Sequence, residues 1–216
     1  TKDDEFVRGR TVEVYTCPSR GFTRSITVGP DGGTFRFEEP ALLASIDYAG
    51  CVDHRSLSDE VLEGLVRPHT GIFRQNLRWN GEVFVPFERP ISLDHLKRHG
   101  ASTVLVIGEK RMTRGAEDAC RANDCLGFTA GFPVAVPSNG QPLELGFDTL
   151  ASGVPRPRPD GHTPGVGFGS SHIVGMNALF ADGHVQLVSY DIDAGVFQAL
   201  CNVNDRRDIQ IKDLNP

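Results

Sequence analysis

The dipeptide Asp182-Gly183 constrains the fold of this chain more than any other pair of residues. An Asp-Gly pair between two strand-like runs is a strong signal for a tight β-hairpin. A two-residue turn would place Ala181 opposite His184, and the alternation of side chains along each strand would then separate an apolar face from a polar one. The apolar face, which we expect to cover a core, consists of Met176, Ala178, Phe180, Val185 and Leu187.

Two short helices are predicted on either side of a buried strand. Residues 92–99 should form a helix that Gly100 terminates. Residues 102–108 are continuously apolar, which is typical of a central strand buried on both faces. After the hairpin, Asp191 or Asp193 should cap a helix whose buried side consists of Val196, Phe197 and Leu200.

The complete pattern predicts an α+β fold with an antiparallel sheet, short helices and long loops. We expect one globular domain over residues 1–216, with a polar lead-in, a loop-rich insert and a polar tail at 1–10, 111–166 and 202–216. Residues 11–17 alternate and should form a strand, whereas the tail is either a docked edge strand or disordered.

Bulk composition narrows the functional classes. With 39% hydrophobic and 23% charged residues, the chain is typical of soluble globular proteins. A formal net charge of −6 argues against a nucleic-acid-binding surface, which needs clustered positive charge. The sequence contains no apolar run long enough to cross a membrane.

Several segments, in order, match the pattern of one known family. GFGSSH at 167–172 precedes NALFADGHVQLVSYDID at 177–193, and further matches upstream are YTCPSR at 15–20, DYAG at 47–50, GIFRQN at 71–76 and ISLDHLKRHGASTVLVIGEK at 91–110. Over residues 11–201 the chain resembles a large planctomycete family of unknown function whose members typically carry a prepilin-type N-terminus. The resemblance implies a packed loop at 47–50.

The resemblance also implies a pilin-like or pseudopilin-like protein located outside the cytoplasm, in the periplasm, at the cell surface or secreted. Its function would be structural, as a subunit or surface component of a pilus-like or type II secretion-like assembly. Its partners would be other pilin-like or secretion subunits, or copies of itself. The resemblance implies membrane contact only through an apolar N-terminal helix, which we do not expect in this chain as it opens with the polar run TKDDEFVRGR.

The five cysteines contain no CxxC pair, which disfavours a zinc ribbon and a c-type haem. In the extracytoplasmic setting that the resemblance implies, we expect Cys120 and Cys125 to form a disulfide across a short polar loop. Cys17 and Cys51 each end a strand-like run, and whether they pair is left open. Cys201 is expected to be a buried thiol on the apolar side of the last helix.

One metal site can be drawn from the sequence. His172, Asp182 and His184 could converge at the tip of the hairpin with Glu109, and such nitrogen and oxygen ligands suit zinc or another transition metal. The competing interpretation is structural: Asp182 is explained by the turn, and Glu109 at the end of a buried strand would satisfy an arginine or backbone amides. Calcium is plausible from the likeness to pseudopilins, with no ligands assigned.

Two other functions compete with the structural one. The chain could bind an extracellular glycan or small solute in a pocket lined by Trp79, Phe128 or Phe132, or it could be a metal-dependent hydrolase built around His172 and His184. No GxSxG, HExxH or P-loop motif is present. We therefore expect a protein that is not an enzyme.

Overall fold

The computed structural model describes residues 10–20, 25–28, 41–44, 46–53, 70–73, 77–79, 84–86, 90–112, 150–152, 157–161 and 167–216. Its strands are β1 Ser25–Val28, β2 Ala41–Ala44, β3 Tyr48–Asp53, β4 Leu77–Trp79, β5 Phe84–Pro86, β6 Leu105–Glu109, β7 Leu150–Ser152, β8 Arg158–Pro159, β9 Gly169–Ser170, β10 Gly175–Phe180 and β11 Val185–Ser189. Its α-helices are α1 Leu93–His99, α2 Ala194–Leu200 and α3 Ile211–Leu214. Short 3-10 turns lie at Glu13–Tyr15, Pro18–Arg20 and Ala101–Thr103.

The main sheet has five strands in the order β11-β10-β6-β3-β7. Its neighbours are antiparallel except for β3 and β7, which run parallel at one edge. Three further strand pairs, β1-β2, β4-β5 and β8-β9, lie outside this sheet. The mixture of short helices, a mainly antiparallel sheet and connecting loops confirms the predicted α+β class.

The core lies on one face of the main sheet, where α2 packs. Phe197 of α2 meets Phe168 edge to face, with ring centroids 5.9 Å apart. The sheet contributes Met176, Ala178 and Phe180 from alternate positions of β10, all at most 2% exposed. Asp193 caps α2 by accepting hydrogen bonds from the backbone N–H groups of Gly195 and Val196. Of the two caps that the sequence predicted, Asp193 is therefore the one that forms.

The hairpin forms as predicted, but its register differs by one residue. Leu179 pairs with Val185, and the Phe180 backbone N–H donates to the His184 carbonyl at 2.9 Å, so the loop contains three residues rather than two. Gly183, with φ of 92°, supplies the left-handed position that such a loop needs. A one-residue slip moves every β11 side chain to the other face. Val188 therefore enters the core, while Val185 is 64% exposed.

Two other predicted elements are confirmed. α1 begins after Ser92, whose hydroxyl accepts a hydrogen bond from the His95 backbone N–H, and it ends at Gly100 with φ of 88°. β6 is the central strand of the five. It is shorter than predicted, because residues 101–103 form a 3-10 turn, and two of its five residues are only half-buried.

Three segments differ from the prediction. Residues 11–17 contain a 3-10 turn instead of a strand, because the Tyr15 and Thr16 backbone N–H groups bond to carbonyls three residues back. Residues 48–50 belong to β3 and pair with β6, so the DYAG segment is not a loop. The tail contains α3, whose Leu214 is 4% exposed and packs on the core.

The lead-in at 1–9 and most of the 111–166 insert lie outside the described residues, the exceptions in the insert being residues 111–112, β7 and residues 157–161, which include β8. Within the part of the chain that the structure describes, no helix combines the length and apolarity needed to cross a bilayer.

Candidate functional site

Glu109 ends β6 on the face of the sheet that points away from the core. Its neighbour Gly108 faces the core, since a Cβ added there would lie 2.7 Å from the Phe168 ring. Adjacent residues of a strand project to opposite faces, so the Glu109 carboxylate points the other way. Its side chain is nevertheless only 1% exposed. Other segments must therefore cover it on that face.

Two segments cover the Glu109 carboxylate, and each contributes a side chain of a type that can ligate a metal. Cys17 comes from the N-terminal turn, and His172 comes from the loop after β9. His172 Nε2 lies 3.1 Å from Glu109 Oε1 and 3.6 Å from Cys17 Sγ. Among the described residues, this is the one group of three or more His, Cys, Asp or Glu side chains whose ligand atoms all lie within 4.8 Å of one another. We call Cys17, Glu109 and His172 the Cys-Glu-His cluster.

Neighbouring polar groups orient the cluster. Ser19 Oγ lies 3.0 Å from Nδ1 of His172. The Asn177 backbone N–H donates to Glu109 Oε2 at 2.7 Å, which leaves Oε1 facing the imidazole. The Asn177 side-chain amide directs Nδ2 toward the cluster, where it donates to Glu109 Oε2 in a long contact of 3.4 Å.

His172 Nε2 receives two contacts that one nitrogen cannot satisfy together. A carboxylate only accepts hydrogen bonds, so the contact with Glu109 Oε1 requires a proton on Nε2. The Asn177 Nδ2 group only donates and lies 3.1 Å from the same nitrogen, so that contact requires a lone pair. Three side chains thus converge on Nε2 with conflicting demands.

The cluster is unsuited to thiol nucleophilic catalysis. Cys17 is 1% exposed. Burial raises the pKa of the Cys17 thiol, and its hydrogen bond with Glu109 raises that pKa further. Because the thiolate is the nucleophile, a buried thiol with a raised pKa is poorly reactive. Thiol, imidazole and carboxylate groups are also each side chains that can ligate a metal ion.

A buried ion-pair network lies beside the cluster and holds its segments in place. Arg20 contacts Asp47 at 3.1 Å and Asp160 at 3.0 Å, and all three side chains are at most 5% exposed. Asp47 also accepts a hydrogen bond from the Cys17 backbone N–H at 2.7 Å. Asp160 accepts one from the Ser171 hydroxyl, also at 2.7 Å. Arg20 therefore connects the Cys17 turn, the start of β3 and the His172 loop.

The network alters the pKa of Asp160. Burial alone would raise the pKa of this carboxyl. Hydrogen bonds and the charge of Arg20, together with hydrogen bonds from Ser171 and the Met112 backbone N–H, outweigh burial and hold the pKa below its ordinary value of 3.8. Asp160 is thus a carboxylate whose charged form stabilises the fold.

Hydrogen bonds from Ser170 and Tyr190 hold the backbone of the loop that carries His172. The Tyr190 hydroxyl bonds to the Ser170 backbone carbonyl at 3.0 Å and accepts from the Ser170 backbone N–H at 3.1 Å. The Ser170 hydroxyl donates to the Gly175 carbonyl, and it accepts from the His172 backbone N–H. On this fixed base, Ile173 is 94% exposed and Val174 is 60% exposed.

The structure brings together only some of the residues that the sequence suggested for a metal. Glu109 and His172 meet near Asn177, close to the start of β10. Asp182 and His184 lie beyond its other end, in the loop after Phe180, and Phe180 is about 10 Å along the strand from Asn177. There Asp182 accepts from the His184 backbone N–H and lies 2.6 Å from its Nδ1, contacts that hold the pKa of Asp182 below its usual value. The four do not meet at one point.

Cys17 and Cys51, whose pairing the sequence left open, are both thiols in the structure. They lie on opposite faces of the sheet, with Cys17 in the Cys-Glu-His cluster and Cys51 in the core. Cys201 is buried in the same core as a thiol, as predicted. Cys120 and Cys125 fall outside the described residues, so their disulfide stays a prediction.

Sequence reasoning missed Cys17 as a partner of Glu109 and His172, and it missed the Arg20 network. One signal was available, because Cys17 and Arg20 both belong to the CPSR turn. A cysteine and an arginine held three residues apart by a proline-containing turn can both face inward, which the prediction of a strand concealed. Asp47 and Asp160 gave no comparable signal.

Comparison with known proteins identifies a family to which most of the chain is similar. No curated protein and no solved structure matches the chain. A protein family described as "Protein of unknown function (DUF1559)" matches residues 1–195, which is most of the chain. The chain therefore belongs to the DUF1559 family.

Proposed function

We propose that the chain is a non-enzymatic structural subunit of a pilus-like or secretion-linked assembly outside the cytoplasm. The extracytoplasmic location rests on the resemblance to proteins with prepilin-type N-termini. The observation that carries the structural role is the distribution of exposed apolar side chains. Five of the eight large hydrophobic side chains exposed among the described residues lie on two segments: Val12, Val14 and Tyr15, and Ile173 and Val174.

These two segments are linked through the cluster. Cys17 and Ser19 both contact His172, so the N-terminal turn and the His172 loop are held side by side. We call residues 12–15 and 173–174 the apolar rim. Apolar groups concentrated on firmly held segments favour contact with another protein, because less ordering entropy is lost when they are buried.

The buried polar groups support the same proposal. Arg20, Asp47 and Asp160 are satisfied by one another and by backbone groups, which is the pattern of an architectural network. The alternative of glycan or solute binding stays a prediction, because Phe128, Phe132 and the Trp79 side chain lie outside the described residues. The alternative of a metal-dependent hydrolase also stays a prediction, and it is less favoured because His172 precedes β10 whereas His184 follows it.

Charge placed on the apolar rim tests this proposal. In cells that produce the natural protein, we expect the wild type to be found outside the cytoplasm and to co-sediment with a high-mass envelope complex. The double variant Ile173→Asp, Val174→Asp should leave that complex, because burying two carboxylates in an interface is costly. Val185→Asp is the matched control, since Val185 is also apolar and 64% exposed but lies on β11.

The proposal would be contradicted if the wild-type protein were found in the cytoplasm. It would also be contradicted if the double variant co-sedimented with the complex as the wild type does. Circular dichroism of each purified variant checks that the fold is retained.

A further inference from the structure

The Cys-Glu-His cluster unites three segments that are distant in sequence. Cys17 Sγ, Glu109 Oε1 and His172 Nε2 approach one another closely, on the face of the sheet opposite the core. A purely structural hydrogen-bond network would give each polar atom a compatible partner. Here the proton that Glu109 requires on Nε2 is incompatible with the amide donor of Asn177.

We propose that these three side chains form a binding site for a transition-metal ion of the zinc class. A cation among the three removes the need for a proton on Nε2, because Nε2 then directs its lone pair at the metal and Nδ1–H donates to Ser19 Oγ at 3.0 Å. The Asn177 amide then keeps Glu109 Oε2 as its acceptor. A hydrogen bond at the second ring nitrogen is the usual way in which proteins orient a metal-binding histidine. The Asn177 backbone N–H, bonded to Glu109 Oε2, orients the carboxylate in the same way.

The spacing of the ligand atoms fits this ion. Zinc bonds of about 2.3 Å to sulfur and about 2.0–2.1 Å to nitrogen place those atoms about 3.5 Å apart in a tetrahedral site. The observed separation of Cys17 Sγ and His172 Nε2 is 3.6 Å. Nitrogen and oxygen ligands of one zinc ion lie about 3.3 Å apart, and His172 Nε2 lies 3.1 Å from Glu109 Oε1.

The ligand types select the class of metal. Thiolate and imidazole suit zinc and its neighbours, whereas calcium takes oxygen ligands alone. Calcium is therefore not the ion for this cluster. The His172 side chain is 29% exposed and Asn177 is exposed, so an ion can enter from solvent on that side. A bound ion would fasten the N-terminal turn and the His172 loop to the end of β6, and this inference does not depend on the assembly role.

The test uses the purified chain, stripped of metal with a chelator, and Zn²⁺ alone as the probe. Competition with a chromophoric chelator should give one tight site in the wild type. Cys17→Ser and His172→Ala should weaken zinc binding at least about 100-fold, more than the 10- to 100-fold typical for loss of a supporting group. Ser19→Ala should weaken it about 10-fold, because it leaves all three ligands in place. His184→Ala is the control and should bind zinc as the wild type does.

A second measurement avoids dependence on the folding of the variants. Cobalt(II) added to the metal-free wild type should show the intense visible absorption of a tetrahedral ion and a thiolate charge-transfer band. Absence of tight zinc binding by the wild type would overturn the proposal. It would also be overturned by a cobalt complex without the thiolate band, or by folded Cys17→Ser and His172→Ala proteins that bind zinc with wild-type affinity.

Discussion

At the scale of single residues, Arg20 has the most consequential set of contacts among the described polar side chains. It neutralises part of the charge of Asp47 and Asp160 and also donates to the Asp47 and Lys110 backbone carbonyls. The value of such a group is mostly that its removal leaves buried charges without compensation. Arg20 is therefore better understood as a connector of segments than as a source of net stability.

Replacement of Arg20 by methionine should reduce the free energy of unfolding by about 3–5 kcal/mol, because two buried carboxylates lose their cation. The matched control is Arg207→Met. Arg207 pairs with Asp205 but has a side chain that is 51% exposed, and such surface pairs contribute about 0–1 kcal/mol. Urea unfolding followed by circular dichroism measures both. Equal losses in the two variants would contradict the role assigned to Arg20.

Asp160 gives a prediction about pH. Its folded pKa is lower than its ordinary value of 3.8, so its stabilising contribution is complete above that value and is lost as the pH falls through the folded pKa. Asp160→Asn should lower stability near neutral pH and flatten the loss of stability below about pH 4. Urea unfolding at a series of pH values measures this. An acid limb as steep as that of the wild type would argue against the predicted linkage.

At the scale of elements, the hairpin shows how a correct signal can give an incorrect register. Asp-Gly indicated the turn, and the apolar positions of β10 indicated the buried face. The choice between a two-residue and a three-residue loop is decided by contacts beyond the turn. Phe180 stacks on the His184 ring with centroids 4.6 Å apart, and Val188 is fully buried. Both contacts exist only in the three-residue register.

Gly183→Ala should destabilise the hairpin by about 1–2 kcal/mol, because the loop requires φ of 92° at this position. A Cβ here would meet nothing within 4 Å, so the cost is conformational and not steric. Gly183→Asn is the matched comparison and should cost less, since asparagine tolerates left-handed backbone. Thermal unfolding of the two variants gives the order. If Gly183→Ala were as stable as Gly183→Asn, the loop would have another conformation.

The tail helix α3 gives a second prediction at this scale. Leu214→Ala should cost about 2–5 kcal/mol, because Leu214 packs on the core. Ile211→Ala removes an aliphatic side chain from the same helix where it is 70% exposed, and it should change stability by no more than about 0.5 kcal/mol. If the two variants unfold at the same denaturant concentration, the tail is not docked as described.

At the scale of the whole molecule, local patterns predicted more than long-range contacts did. The α+β class, the capped helix after Asp193 and the central position of β6 follow from periodicity and turn residues. The Cys-Glu-His cluster does not, because Cys17 and His172 are 155 residues apart and nothing local links them. The tail was misjudged for a local reason: the alternating IQIK segment suggested a strand, whereas a helix begins at Ile211, where Gln210 and Asp213 complete a capping box.

The most direct test of the assembly role is site-specific photo-cross-linking in the cells that produce the natural protein. A photoreactive amino acid at position 173, and at position 185 as the control, would each be activated in intact cells. Our proposal predicts a discrete cross-linked product of defined mass at position 173, formed with another envelope subunit or a second copy of this chain, and little product at position 185. Equal, diffuse cross-linking at both positions, or none at position 173, would contradict it.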